Sequence, residues 1–321
     1  MTTRTFHYSH TIGRAEYSGP GFRHPMDLAL DSEGVMYVPS RSREDRPDGV
    51  RVTVCTIEED YLRQFGQYGE ADGEFIWPVS ITVDDADNVY VLDQWLNRVS
   101  IFNKDGDFLD KWGAQGTGAG QMNQPSGMEL DPDQNLYVVD SQNCRVQKFT
   151  RDGRFLAGWG EEGSGPGQFS APWGMDVDAE GRVYVADWRN DRVQKFSPEG
   201  EFLAEFGSPG AGIGQLNRPA GVGVDRDGDI YVADWGNHRV QVMTSDGRHI
   251  TTFTGDSEMS KWGQAKLDAN PDMRLQRDLV RDRGPERAFW YPVAVVFDRD
   301  GRVLVSDCQR HRVQVYQKGV G

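Results

Sequence analysis

Along most of this chain, apolar and polar positions alternate in runs of about five residues, and turn-forming residues break the runs. The stretch from Pro172 to Gly207, PWGMDVDAEGRVYVADWRNDRVQKFSPEGEFLAEFG, shows the pattern well. GMDVD reads as a first strand closed by the turn AEG. VYVAD and RVQKF read as a second and a third, and FLAEFG as a fourth after the turn SPEG. Period-two alternation with many β-branched residues marks strands rather than helices.

The same unit recurs. Aligned on Pro25, Pro78, Pro125, Pro172, Pro219 and Pro292, the spacings are 53, 47, 47, 47 and 73 residues. Four short strands per ~45 residues is the period of a propeller blade. The prediction is an all-β fold: one six-bladed β-propeller domain of four-stranded antiparallel blades over residues 1–321. The last unit supplies only three strands, ending in RVQVYQKG. The N-terminus opens with TFHYSHTIG and continues into SGPGFRHP, which parallels SGPGQFSAP at 164–172. Residues 4–12 are therefore expected to close the last blade as its outer strand, leaving no open edge.

Two units exceed the common period. The first carries its extra residues between Ser40 and Arg51. The fifth carries a charged insertion, residues 256–291, with Met273, Leu275 and Leu279 at helical intervals, so short helices are expected between blades 5 and 6. We expect this insertion to cover the channel mouth as a lid and to bring Trp290 and Tyr291 to the site. Its Arg274, Arg277, Arg281, Arg283 and Arg287 would then face an acidic channel. The other readings are local pairing of these arginines with surface acids, or an oligomer interface built on the insertion.

The repeat P-x-G…D-x-x-G-x-h-Y-V-A-D-x-x-N-x-R-V-Q-h-F resembles the NHL repeat. YVADWGNHRVQVM at 231–243 carries the name-giving triplet position as Asn237, His238 and Arg239. The resemblance runs along essentially the whole chain. Among enzymes it points to peptidyl-α-hydroxyglycine lyase, whose zinc histidines directly follow the repeat proline. Here that position holds Met26, Val79, Ser126, Trp173, Ala220 and Val293, so that zinc site does not carry over. Lactonases of the senescence-marker-protein type, with acidic and Asn ligands for a divalent cation, are similar only in chemistry.

Reading columns across the six units separates scaffold from candidate site. The second strand ends in Ser40, Asp93, Asp140, Asp187, Asp234 and Asp307. The third begins with Arg51, Arg98, Arg145, Arg192, Arg239 and Arg312. A pair repeated in nearly every blade is structural, because catalysis needs asymmetry. The first-strand positions expected to face the central channel are mostly small or neutral, except for Asp27, Glu129 and Asp176. Like charges in one narrow channel must protonate, meet water or bind a cation. The cation expectation is Ca²⁺ or Mg²⁺ before Zn²⁺. Trp77, Trp173, Trp188, Trp235 and Trp290 should ring the mouth as ligand-binding aromatics. His24, Arg218, Tyr291 and His311 are the catalytic candidates there.

Charge then narrows the functional classes. The net charge of −15 disfavours nucleic acid and anionic membranes as partners. The N-terminus lacks the apolar core of a signal peptide, and no apolar run is long enough to cross a bilayer. Three scattered cysteines, Cys55, Cys144 and Cys308, make neither a disulfide framework nor a zinc knuckle, so a cytoplasmic protein is expected. No phosphate loop, CxxC or nucleophile motif calls for an organic cofactor. The expectation is a stand-alone propeller that binds a small molecule and acts at the channel mouth as a metal-assisted hydrolase or lyase. The alternative is a non-enzymatic NHL interaction scaffold.

Overall fold

The computed structural model describes residues 4–42 and 47–320. Six four-stranded antiparallel sheets follow one another along the chain. Blade 4 consists of Met175–Val177, Val183–Asp187, Arg192–Phe196 and Phe202–Phe206, and the other blades repeat this order. Hairpin turns explain the shared D-x-x-G signature. In blade 4 Asp178 Oδ1 accepts the amides of Glu180 (3.1 Å) and Arg182 (2.9 Å), and Gly181 takes φ +76°, which a side chain would strain.

The core lies between blades rather than within them. Val79, Leu92, Met128 and Val138 join blades 2 and 3; Tyr137, Val139, Val183 and Val185 join blades 3 and 4. Equivalent clusters join the remaining neighbours, with Met36, Val38, Leu304 and Val315 at the junction of blades 6 and 1. Each sheet thus buries both faces against its neighbours, so the ring closes only if every blade is complete.

Closure comes from the N-terminus. Strand Arg4–Ile12 pairs antiparallel with Arg312–Val320, from Arg4 opposite Val320 to Ile12 opposite Val313. Beside it, Lys318 Nζ sits 2.5–2.8 Å from Asp225, Asp227 and Asp229 of blade 5, and Arg4 also pairs with Asp229. A lysine therefore already occupies this carboxylate triad, the tightest such group among the described residues.

The insertion forms three short helices, α1 (Lys261–Asp268), α2 (Pro271–Asp278) and α3 (Gly284–Arg287). Ser260 caps α1 by accepting the Gly263 amide at 3.0 Å. Residues 256–291, expected as a lid, contribute no described side chain to the lining of the channel mouth, and α1 docks on the flank of the ring. Trp262 is buried in the junction between blades 6 and 1, 5.8 Å from Phe22 and 6.4 Å from Tyr61. Arg14 Nη1 donates to its carbonyl at 2.7 Å, and Thr11 and Ser257 share a hydrogen bond of 2.8 Å. The indole is the large apolar group of α1, and it goes where apolar surface is available, on the flank. The arginines pair locally: Arg277 with Glu286 (2.9 Å), Arg287 with Glu258 (3.4 Å), Arg274 with Asp268 (3.6 Å). In the first-blade insertion, residues 43–46 lie outside the described residues.

Candidate functional site

Loops preceding the inner strands and loops following the second strands converge on one face. They enclose a cup of about 1040 Å³. Of the sequence candidates, His24, Trp77, Trp173, Trp188, Trp235 and His311 line it. The structure adds Arg23, Met26, Arg41, Ser42, Ala220, Val293, Cys308 and Gln309. A readable signal for Arg41 and Cys308 was available. They occupy the column directly after the second strand, the column that supplies Trp188 and Trp235.

Three other candidates stand beside the cup rather than in its wall. Arg218 lies over the Trp188 ring at 4.9 Å. Tyr291 stacks on Trp235, with centroids 4.0 Å apart and planes at 14°. Trp290 is half exposed under Arg310, 5.0 Å from its guanidinium. Arg218 and Tyr291 hold the aromatic wall from behind, while Trp290 faces outward.

His311 belongs to a column that sequence reading missed. Asn97, Asp191, His238 and His311 each adopt φ of 52–56°, a conformation that Asn, Asp and His tolerate best among side-chain-bearing residues. Each side chain accepts the amide preceding the next blade's proline: Asn97 from Gln124 (2.7 Å), Asp191 from Arg218 (2.6 Å), His238 from Tyr291 (3.4 Å) and His311 from His24 (3.0 Å). His311 Nδ1 is thus an acceptor, which leaves the proton of the neutral ring on Nε2. Burial, helped by His24 and Arg23, pushes His311 down to about 3. It therefore offers the cup a neutral N–H donor, not a base. His24 lies edge to face with it at 4.6 Å. The Cys308 thiol is pushed up to about 12 by burial and the nearby Asp307, so it is not a nucleophile near neutral pH.

Met26, Trp173, Ala220 and Val293 form the floor of the cup and at the same time the roof of a narrower axial channel of about 250 Å³. Asp27, Glu129 and Asp176 line this lower channel, as expected. Their oxygens are committed to the neighbouring blades. Asp27 accepts from Ser80 Oγ (2.7 Å), Ile81 N (3.0 Å) and Leu28 N (2.8 Å). Glu129 accepts from Thr82 Oγ1 (2.8 Å), and Asp176 from Val224 N (2.6 Å). Burial pushes Asp27 up to about 6 despite those bonds. Glu129 is raised by burial and by Asp27, and Asp176 by burial and Glu129.

A shared hard cation fits this arrangement poorly. Oxygens bound to one Ca²⁺ or Mg²⁺ lie within about 5 Å of one another. These three carboxylates do not offer oxygens within 4.8 Å of each other, unlike Asp225, Asp227 and Asp229. The structure instead shows carboxyl groups that staple inner strands together, with burial favouring their protonated forms. An apolar floor separates them from the cup.

Comparison with known proteins agrees with the architecture. Residues 216–243 and 289–316 match the NHL repeat, and 117–216 match the SMP-30/Gluconolactonase/LRE-like region. Residues 72–144 match a family described as a 6-bladed beta-propeller. Among solved structures, streptogramin B lyase superposes with a TM-score of 0.60 at 10% identity, covering 98% of both chains. A Bacteroides thetaiotaomicron protein of unknown function reaches a TM-score of 0.66 at 17% identity, over 99% of this chain and 77% of that one. A catalytically inactive histidine variant of Staphylococcus aureus virginiamycin B lyase, solved with quinupristin, gives 0.58 at 12% identity over 98% and 99%. No curated protein matches the chain. Such low identities speak for the fold alone. By its six closed blades and these matches, the chain is a six-bladed β-propeller that carries NHL repeats at 216–243 and 289–316.

Proposed function

We propose that this propeller binds a small organic molecule in the tryptophan-lined cup and acts on it there as a lyase or hydrolase. The observation that carries this reading is the cup itself. It is a concavity of ligand-binding size in which four indoles surround a few convergent polar groups. His24 and His311 supply acid–base and donor chemistry side by side: His311 Nε2–H to polarise a carbonyl or leaving group, and the His24 ring as the proton acceptor. Two of the propellers matched above are named as lyases, so the fold is compatible with such chemistry, and the class is argued from the cup. The channel carboxylates have no step in this scheme, because the floor residues lie between them and the cup.

A panel of small molecules screened by thermal shift and indole fluorescence tests the reading. Ligands should lose affinity in Trp235→Ala and keep it in Trp95→Ala, since Trp95 is half exposed and does not line the cup. Loss in the Trp95 variant alone would favour the rival reading, a scaffold that docks partners on its aromatic rim. For any ligand that turns over, His24→Ala should reduce kcat by about a hundredfold or more.

A further inference from the structure

The cup is chemically lopsided. In a ring of six, blade 4 stands opposite blade 1. Blade 4 contributes Trp173 and Trp188, and blade 5 adds Trp235. Their rings run along one wall at 6.5 and 6.2 Å between centroids. Blade 1 contributes Arg23, His24, Arg41 and Ser42 to the facing wall. Among the described residues no carboxylate lines the cup, although acids outnumber bases 50 to 35 in the chain. Cations gather in the cup of a strongly acidic protein, and the anions that crowd the rest of the molecule are missing from its described walls.

Arg23 is the informative residue. Its stem packs against Gly49, where an added Cβ would lie 2.7 Å from Arg23 Cγ. Its guanidinium sits over the Tyr17 ring at 4.4 Å. Among the described residues it forms no ion pair, and its buried Nε has no hydrogen-bond partner. A guanidinium held in place, part-buried and with no counter-charge among the described residues, is suited to an anionic group on a ligand. Arg41 is oriented next to it, stacked on Trp77 at 4.0 Å and donating to Gln94 at 3.3 Å. Stacking uses the face of a guanidinium and fixes the direction of its in-plane N–H groups.

Resting on the reading of the cup as a ligand site, we propose that its ligand is an organic carboxylate with a flat apolar body. The carboxylate sits against Arg23 and Arg41 of blade 1, and the body lies among Trp173, Trp188 and Trp235. Indole walls favour flat π-systems, and a fork of N–H donors suits a carboxylate in both charge and geometry.

Naphthoate and naphthamide test this, because they share a flat body and differ in charge. Indole quenching and calorimetry with the intact protein read both affinities. Naphthoate should bind at least about tenfold more tightly, and the gap should narrow as salt is raised. Arg23→Gln should lower naphthoate affinity at least about fivefold and leave naphthamide within about twofold. Trp235→Ala should weaken both probes. Equal affinities in the wild-type protein would overturn the carboxylate inference and leave the cup standing as a ligand site. Binding of neither probe, or binding untouched by Trp235→Ala, would overturn the inference together with the reading it rests on. Should Arg23→Gln unfold, the wild-type comparison at low and high salt decides by itself.

Discussion

Asp187 is fully buried, and four donors converge on it: Ser170 N at 2.8 Å, Asn190 Nδ2 at 2.8 Å, Arg192 Nε at 3.0 Å and Gln194 Nε2 at 3.2 Å. Asp140 and Asp234 gather the same four donors in their own blades, and Asp307 gathers three, Trp290 N, Arg312 Nε and Gln314 Nε2. Removing the acid leaves the buried Asn190, Arg192 and Gln194 donors without their shared acceptor, so Asp187→Ala should cost about 3–5 kcal/mol in urea unfolding. The channel carboxylates behave in the opposite sense. The folded-state pKa of Asp27 is raised to about 6 by burial, so the folded chain binds its proton more tightly than the unfolded chain. Its ionisation therefore lowers stability at pH above 6, and the cost vanishes below the ordinary carboxylate range. Glu129 and Asp176 are the charged neighbours in that channel, and no described Lys, Arg or His lines it. Relative to wild type, Asp27→Asn should gain on the order of 2 kcal/mol between pH 4 and pH 8. A gap independent of pH would refute the assignment. The Asp–Arg column was legible in the sequence because identical residues recur at identical spacing. The acceptor column of Asn97, Asp191, His238 and His311 was not, since its members share an acceptor role and a backbone conformation but are spread over three residue types.

At the scale of elements, the closing strand and the insertion illustrate two kinds of legibility. Strand 4–12 could be placed because the last unit lacked a fourth strand and an unpaired edge must be covered. Deleting residues 1–12 should lower the melting temperature and promote aggregation; unchanged melting would contradict the closure. The helices of the insertion were also legible, from composition and spacing. Its docking was not. Leu275 and Leu279, which suggested a packed helix face, are 65% and 80% exposed, while Trp262 supplies the anchor. Helix formation depends on local sequence, whereas the groove that receives Trp262 exists only once blades 6 and 1 meet. Trp262→Ala should therefore cost about 3–5 kcal/mol and leave ligand affinity in the cup unchanged. A loss of affinity instead would restore the lid.

For the whole molecule, ring closure converts sequence-distant charges into neighbours. Lys318, near the end of the chain, neutralises the Asp225–Asp227–Asp229 triad of blade 5. Lys318→Met should leave three carboxylates without their central cation, lower the melting temperature, and make that temperature rise with added Ca²⁺. The wild-type protein should melt at the same temperature with and without Ca²⁺, since the lysine fills this triad and the channel carboxylates are too dispersed to share an ion. A Ca²⁺-dependent rise in the wild type would revive a cation at Asp27, Glu129 and Asp176.

The repeat period, the strand count and the closing strand followed from the chain alone, because turns, alternation and the Asp–Arg hub are local features copied from blade to blade. The six interblade clusters obey the same alternation, so the core too was written in the pattern. The cup follows a different logic. Its members come from five blades and from columns whose residue type varies from blade to blade, so only the closed ring decides which of them meet. Tertiary structure separated the cup from the channel carboxylates by one apolar floor. It also turned His311 into a hydrogen-bond acceptor for the next blade and set Arg23 and Arg41 across from the tryptophans. Periodicity encodes what every blade has in common, while the site is made of what the blades do not share.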